Sequence, residues 1–149
     1  MSEDPKVFHL LDLVPRSLDE IVRTNRDKFR LAFATDEEMK SLERSIQAAG
    51  MVRHTLEAWN VLMMHATAGG KTRSVPKLLG SVEGTGQCWI TSTIKGIDLD
   101  TGLVQTENSL YRVAGTQSFE PSAHLLIHVC VFLNEYGAGG YLGIPDFYY

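Results

Sequence analysis

Cysteine is scarce: Cys88 and Cys130 are the only two in 149 residues. Both stand in apolar surroundings. That excludes a disulfide scaffold and suggests reduced side chains of a cytoplasmic protein. Proline is also sparse, at five residues, so no polyproline segment is present. Long apolar runs are missing. The longest strongly apolar segment, His124 to Leu133, is broken by His128 and is far too short to span a bilayer. The N-terminal MSEDPK is acidic and lacks the basic-then-apolar order of a targeting signal. The expected protein is therefore soluble and cytoplasmic, with no membrane partner. A basic excess is absent too. The net charge is -4, which weighs against a dedicated nucleic-acid binder.

What is present is ordinary globular composition, 44% hydrophobic and 21% charged. A chain of this length suits one domain over 1–149 and buries enough surface to need no metal or disulfide. Charge is uneven along it. Residues 16–34 and 67–79 are net basic, whereas 80–149 carry seven acids and two bases.

The N-terminal part, 16–68, reads as helical. Residues 6–14 suit either an edge strand or a short helix, ended by Pro15. Ser17 with Glu20 has the spacing of a capping box. Leu18, Ile21, Val22, Phe29, Ala32 and Phe33 then recur at helical spacing, which predicts a helix over 18–33. Thr35 with Glu38 forms a second box, followed by a stripe of Met39, Leu42, Ile46 and Ala49. Val52, Leu56, Trp59 and Met63 continue that stripe across Gly50, so one long helix or two helices would fit. From Gly69 to Ser74 the chain is small, polar and basic, as in an exposed loop, and 67–75 is the only plausible linker.

The texture then becomes that of strands over 75–114. Lys77–Val82, Cys88–Ile97 and Leu103–Val113 are separated by turns at Gly84-Thr85-Gly86 and Asp100-Thr101-Gly102. One register sets Lys95 across from Glu107. A shift of two positions sets Trp89 across from Tyr111. A last, largely apolar helix is expected over 122–136, followed by a glycine-rich turn and an aromatic tail, so that 121–149 closes the domain. The expected fold is α+β, with N-terminal helices packed on a three-stranded antiparallel meander and a C-terminal helix in the core.

Residues 65–74, HATAGGKTRS, end like a phosphate-binding loop. Glycine is required at position 65, where His65 stands, and the flanking elements are in the wrong order, so nucleotide binding is not expected. His124 and His128 lie one turn apart, with Glu135 two turns beyond. Together they are the candidate set for zinc or another divalent metal, or for acid–base chemistry, although the glutamate of a His-Glu-x-x-His helix is missing. Neither cysteine nor Ser81 has the local signature of a nucleophile. Arg23, Arg26 and Arg30, with Lys71, Arg73 and Lys77, are a candidate basic patch for nucleic acid or an acidic protein. Thr91, Thr93, Glu107 and Asn108 form a polar strand patch, suited to an exposed edge or a small-ligand surface. Phe147, Tyr148 and Tyr149 are candidates for docking on a partner or a second copy.

The cassette LLGSVEG…WITSTIKGIDLDTGLVQTENSLYRVAG, residues 78–115, resembles a β-hairpin element of small uncharacterised bacterial and phage proteins. That resemblance implies an accessory or mobile-element protein and brings no functional residue with it. With no catalytic constellation assembled, the expected function is non-catalytic. The protein would bind another macromolecule as an inhibitor, immunity protein or adaptor, as a homodimer, and would need no cofactor. The metal or acid–base enzyme and the nucleic-acid binder are the alternatives.

Overall fold

The computed structural model of the chain describes residues 14–47 and 50–145. Segment 6–14 lies almost wholly outside the described residues, as do Phe147, Tyr148 and Tyr149. A 3-10 turn at Leu18–Glu20 leads to β1 (Phe29–Phe33) and α1 (Asp36–Leu42). Five strands follow: β2 (Val52–Ala68), β3 (Lys71–Val82), β4 (Cys88–Asp98), β5 (Leu103–Thr106) and β6 (Leu110–Val113). The chain then forms α2 (Ala123–Glu135) and the short α3 (Gly139–Leu142).

The six strands form one sheet in chain order, antiparallel at each step, and β6 returns to pair in parallel with the start of β2. An odd-numbered meander can close only with one parallel pair. Strands β2 to β6 thus make a closed barrel, with β1 added beside the far half of β2. This overturns the expected three-stranded meander under N-terminal helices.

The error has a specific origin in β2. Its register against β3 shifts between Glu57 and Asn60, and Ala58 sits at φ +46°. Such a bulge adds one residue to one strand. Leu56 and Trp59, three apart, therefore face the same core as Val61 and Met63, while Leu62 and Met64 face the other. A period of two interrupted once looks helical over a short window. The glycine question also dissolves, because α1 ends at Leu42 and the chain re-enters as a strand at Val52.

The helix expected over 18–33 fails for a related reason. Leu18, Ile21 and Val22 are buried, but the polar stretch after them turns at Asn25, whose φ is +56°. The side chains of Thr24 and Asn25 both donate to the Tyr141 carbonyl at 2.7 Å. Phe29–Phe33 is then drawn into the sheet beside β2. Ser17 makes no capping bond; Glu20 accepts instead from the Arg16 amide at 2.7 Å. The exposed loop expected at 67–75 is a β2–β3 hairpin, its two-residue turn Gly69-Gly70 having φ of +59° and +77°.

Several expectations stand. The Thr35 box is complete: the Thr35 hydroxyl accepts from the Glu38 amide, and Glu38 accepts from the Thr35 amide at 2.9 Å. Replacing Thr35 by alanine is expected to cost about 1 kcal/mol, read as a lower urea midpoint with unchanged slope. Strand β4, the turn before Gly102 and α2 fall within a few residues of where they were expected.

Two cores result. One fills the barrel with Leu56, Trp59, Val61, Leu78, Ile97, Val104 and their neighbours. The other lies outside it, where Leu125, Leu126, Val129, Cys130 and Leu133 of α2 cover Leu31, Leu62, Met64 and Leu79. The shared wall of the sheet is thus apolar on both faces.

Candidate functional site: a groove between α2 and the sheet

Where α2 runs past the β2–β3 hairpin, the outer core is not fully covered. An open groove of about 680 Å³ lies there, within the size range of ligand sites. Met64 and Ala66 of β2 and Phe29 of β1 line the sheet side. Phe132, Leu133 and Tyr136 line the α2 side, and Tyr141 and Leu142 of α3 close one end. The alternation of β2 puts Met64 on this outer face while Met63 points into the barrel. Phe132 and Tyr136, one turn apart on α2, pack with ring centroids 4.7 Å apart. Tyr136 is 73% exposed and Tyr141 57%, so the groove has an aromatic rim in water.

Lys28 and Lys77 reach into the same space. The Lys77 ammonium lies 5.5 Å from the Phe132 ring centroid and donates to the Thr91 carbonyl at 3.3 Å. Burial lowers its pKa, and the negative charge of Glu107 acts the other way. The groove therefore combines an apolar floor with a partly desolvated cation.

The structure scatters the basic patch. Arg30 pairs opposite His65, so it stands on the sheet face away from Lys71, Arg73 and Lys77. Arg26 is ion-paired with Asp19 at 2.6 Å. Arg23 follows the 3-10 turn, its amide donating to the Leu142 carbonyl. The helix expected to align these three arginines is absent.

His124, His128 and Glu135 all ride on α2, with His124 and Glu135 exposed and His128 half-buried. Burial lowers the His128 pKa, with Glu135 opposing. Glu135 lies seven positions beyond His128, about 10 Å along a helix. Among the described residues no three His, Cys, Asp or Glu side chains gather as a metal set. Burial pushes the Cys130 thiol up to about 11, against a smaller opposing effect of Arg23, and also raises Cys88. Both thiols stay protonated near neutrality and are poor nucleophiles.

The polar strand patch is explained by a turn. The expected strand 103–113 divides into β5 and β6 around Glu107-Asn108, with the Thr106 amide donating to the Ser109 carbonyl at 2.9 Å. Thr91 is buried, its hydroxyl accepting from the Leu78 amide and donating to the Ser92 carbonyl. Thr93 opposes Lys77, and Lys95 meets Glu107 at 3.9 Å. The Trp89 indole donates to the Tyr111 hydroxyl at 3.2 Å as well. Both pairs form at once because they do not share a ladder: Glu107 lies in the turn after β5, whereas Tyr111 of β6 meets Trp89 at the barrel core.

One constellation was invisible in the sequence. His65, 8% exposed, has Nδ1 2.6 Å from the Ser74 hydroxyl and Nε2 3.9 Å from a Glu38 oxygen. The residue types are those of a hydrolytic triad. However, the second link exceeds hydrogen-bond length, and the other Glu38 oxygen serves the Thr35 cap. Moreover, the groove opens on the opposite face of β2. The arrangement ties α1 to the hairpin rather than presenting a nucleophile to a cleft.

Asp98 is another anchor. Its carboxylate accepts from the amides of Ile46 at 2.9 Å and Asp100 at 3.1 Å. The Ile46 bond chiefly holds its pKa below the ordinary 3.8, with smaller help from Thr101 and Asp100. A depressed folded pKa means stability that is full above the ordinary value and lost as pH falls through the folded one. Asp98→Asn is thus expected to lower the urea midpoint at neutral pH. The gap to the parent should close only in acid below the ordinary aspartate pKa.

No family model, curated protein or solved structure matches this chain. No helix among the described residues is long and apolar enough to cross a membrane. What the fold and site define is a class: a small, mostly β protein with a closed meander barrel and a helix-walled groove. The missed signal for the groove was the Phe132–Tyr136 pair, which looked like more of the α2 core.

Proposed function

We propose that this protein is a non-catalytic binding protein, of inhibitor, immunity or adaptor type, that meets another macromolecule in the groove between α2 and the sheet. The observation that carries the reading is the groove's aromatic rim: Tyr136 and Tyr141 are large, exposed and set beside an apolar floor. Isolated exposed apolar groups are common, but tyrosines ringing a concave apolar surface are what protein interfaces enrich. A photo-crosslinking residue placed at Tyr136 or Tyr141 should give a discrete adduct in extracts of the source cells. The same residue at Met51, which is exposed elsewhere, should give none. Changing Met64 on the floor to glutamate should abolish the adduct. An adduct at twice the chain's mass would make the partner a second copy. Folded protein that stays monomeric and gives no adduct at either rim position would end this reading.

A further inference from the structure

The chemistry of the groove's occupant follows from Lys77, on the premise that the groove is the binding face. An ammonium has three donors. Among the described residues, Lys77 uses one, in a 3.3 Å bond to a neutral carbonyl. No ion pair of Lys77 or Lys28 occurs among the described residues, and Glu107 already sits against Lys95. Two cations beside an apolar floor thus have no ion-pair partner among the described residues, which points to an occupant that supplies carboxylates together with apolar surface.

Its shape follows from the backbone. An extended strand needs free amides and carbonyls. Along the hairpin wall most are already engaged: Ala66 pairs with Phe29 and Arg73, Thr67 pairs with Thr72, and the Thr67 amide donates to the Lys28 carbonyl at 2.8 Å. The Phe29 amide is also engaged, by the Asn25 carbonyl at 3.1 Å. A small amphiphile lying on the floor would leave the rim tyrosines in water. A helix, about 10 Å across, satisfies its own backbone and covers floor and rim together. We propose that the groove takes an amphipathic helix of a protein partner, its apolar face on Met64, Phe132 and Leu133 and its flanking glutamates or aspartates toward Lys77 and Lys28.

Three designed 18-residue helical peptides test this. They share a leucine face and carry Glu, Gln or Lys at the flanking positions. Each is titrated into the full-length protein while the Met64 methyl signal is followed by NMR, with dodecanoate as a further probe. The Glu peptide should shift Met64 and bind roughly tenfold tighter than the Gln peptide at low salt, with the Lys peptide weakest. Half-molar salt should narrow the gap. Lys77→Gln should remove most of the preference, and Lys77→Arg should restore it. Glu and Lys peptides that shift Met64 with equal affinity would overturn the acidic requirement while leaving the groove as binding face. Dodecanoate shifting Met64 where no peptide does would replace the helix by a small amphiphile. No response of Met64 to any of the four would remove the groove itself.

Discussion

Replacing Asn60 by leucine is expected to destabilise this protein by about 3–5 kcal/mol, lowering Tm by roughly 6–20 °C. Asn60 is 2% exposed and sits where β2 bulges. Its side-chain oxygen accepts from the Val61 amide at 2.7 Å and from Gln117 at 2.9 Å. Its amide donates to the Ser118 carbonyl at 2.8 Å. A bulge takes a strand's polar groups out of the ladder, and here the segment after β6 takes them up. Ala114 donates to Leu56 and Ser118 to Trp59, and the Trp59 indole donates to the Gly115 carbonyl. Leucine fills the space but orphans three partners, each costing about 1–3 kcal/mol where buried. Gln117→Ala removes one of these bonds and should cost about 1 kcal/mol. Thermal melts of the two variants check the order. A leucine variant as stable as the parent would show that the bulge does not depend on this network.

Gly80→Val is expected to destabilise the barrel by about 3 kcal/mol or more. A Cβ at Gly80 would lie 3.0 Å from the Glu57 carbonyl oxygen, 3.1 Å from the Leu56 Cβ and 3.3 Å from the Trp59 Cα. Two of these are backbone atoms of the bulged strand, which cannot rotate aside. Alanine would ask them to yield a few tenths of an ångström; valine adds two γ carbons. Gly140 is the control. It has nothing within 4 Å of a Cβ and needs no positive φ. Gly140→Ala should therefore be neutral, or stabilising by roughly 0.5 kcal/mol through the unfolded chain. Denaturant titration separates the two, and equal effects would mean that β2 can shift away from β3 at its bend.

Both predictions concern the point at which reading by sequence failed. Local chemistry was legible wherever a few adjacent residues settle the outcome. The Thr35 box, the glycine turn before β5 and the capped apolar α2 all belong to this kind, because their hydrogen bonds close within four residues. The candidate site was only partly legible. Lys77, Phe132 and Tyr136 were in plain view, but as a basic residue and as helix core.

What the sequence determined alone was composition, a single domain's worth of apolar residues, and those short-range signals. The tertiary structure decided that Val52–Ala68 is a strand and Phe29–Phe33 its neighbour. A bulge gives Leu56, Trp59 and Met63 a helical spacing, and only pairing with distant β3 and β6 shows that this spacing belongs to a sheet. The groove came from the same source: it exists because α2 covers β2 at Leu62 and Met64 but leaves the hairpin end beyond them, around Ala66, only partly covered.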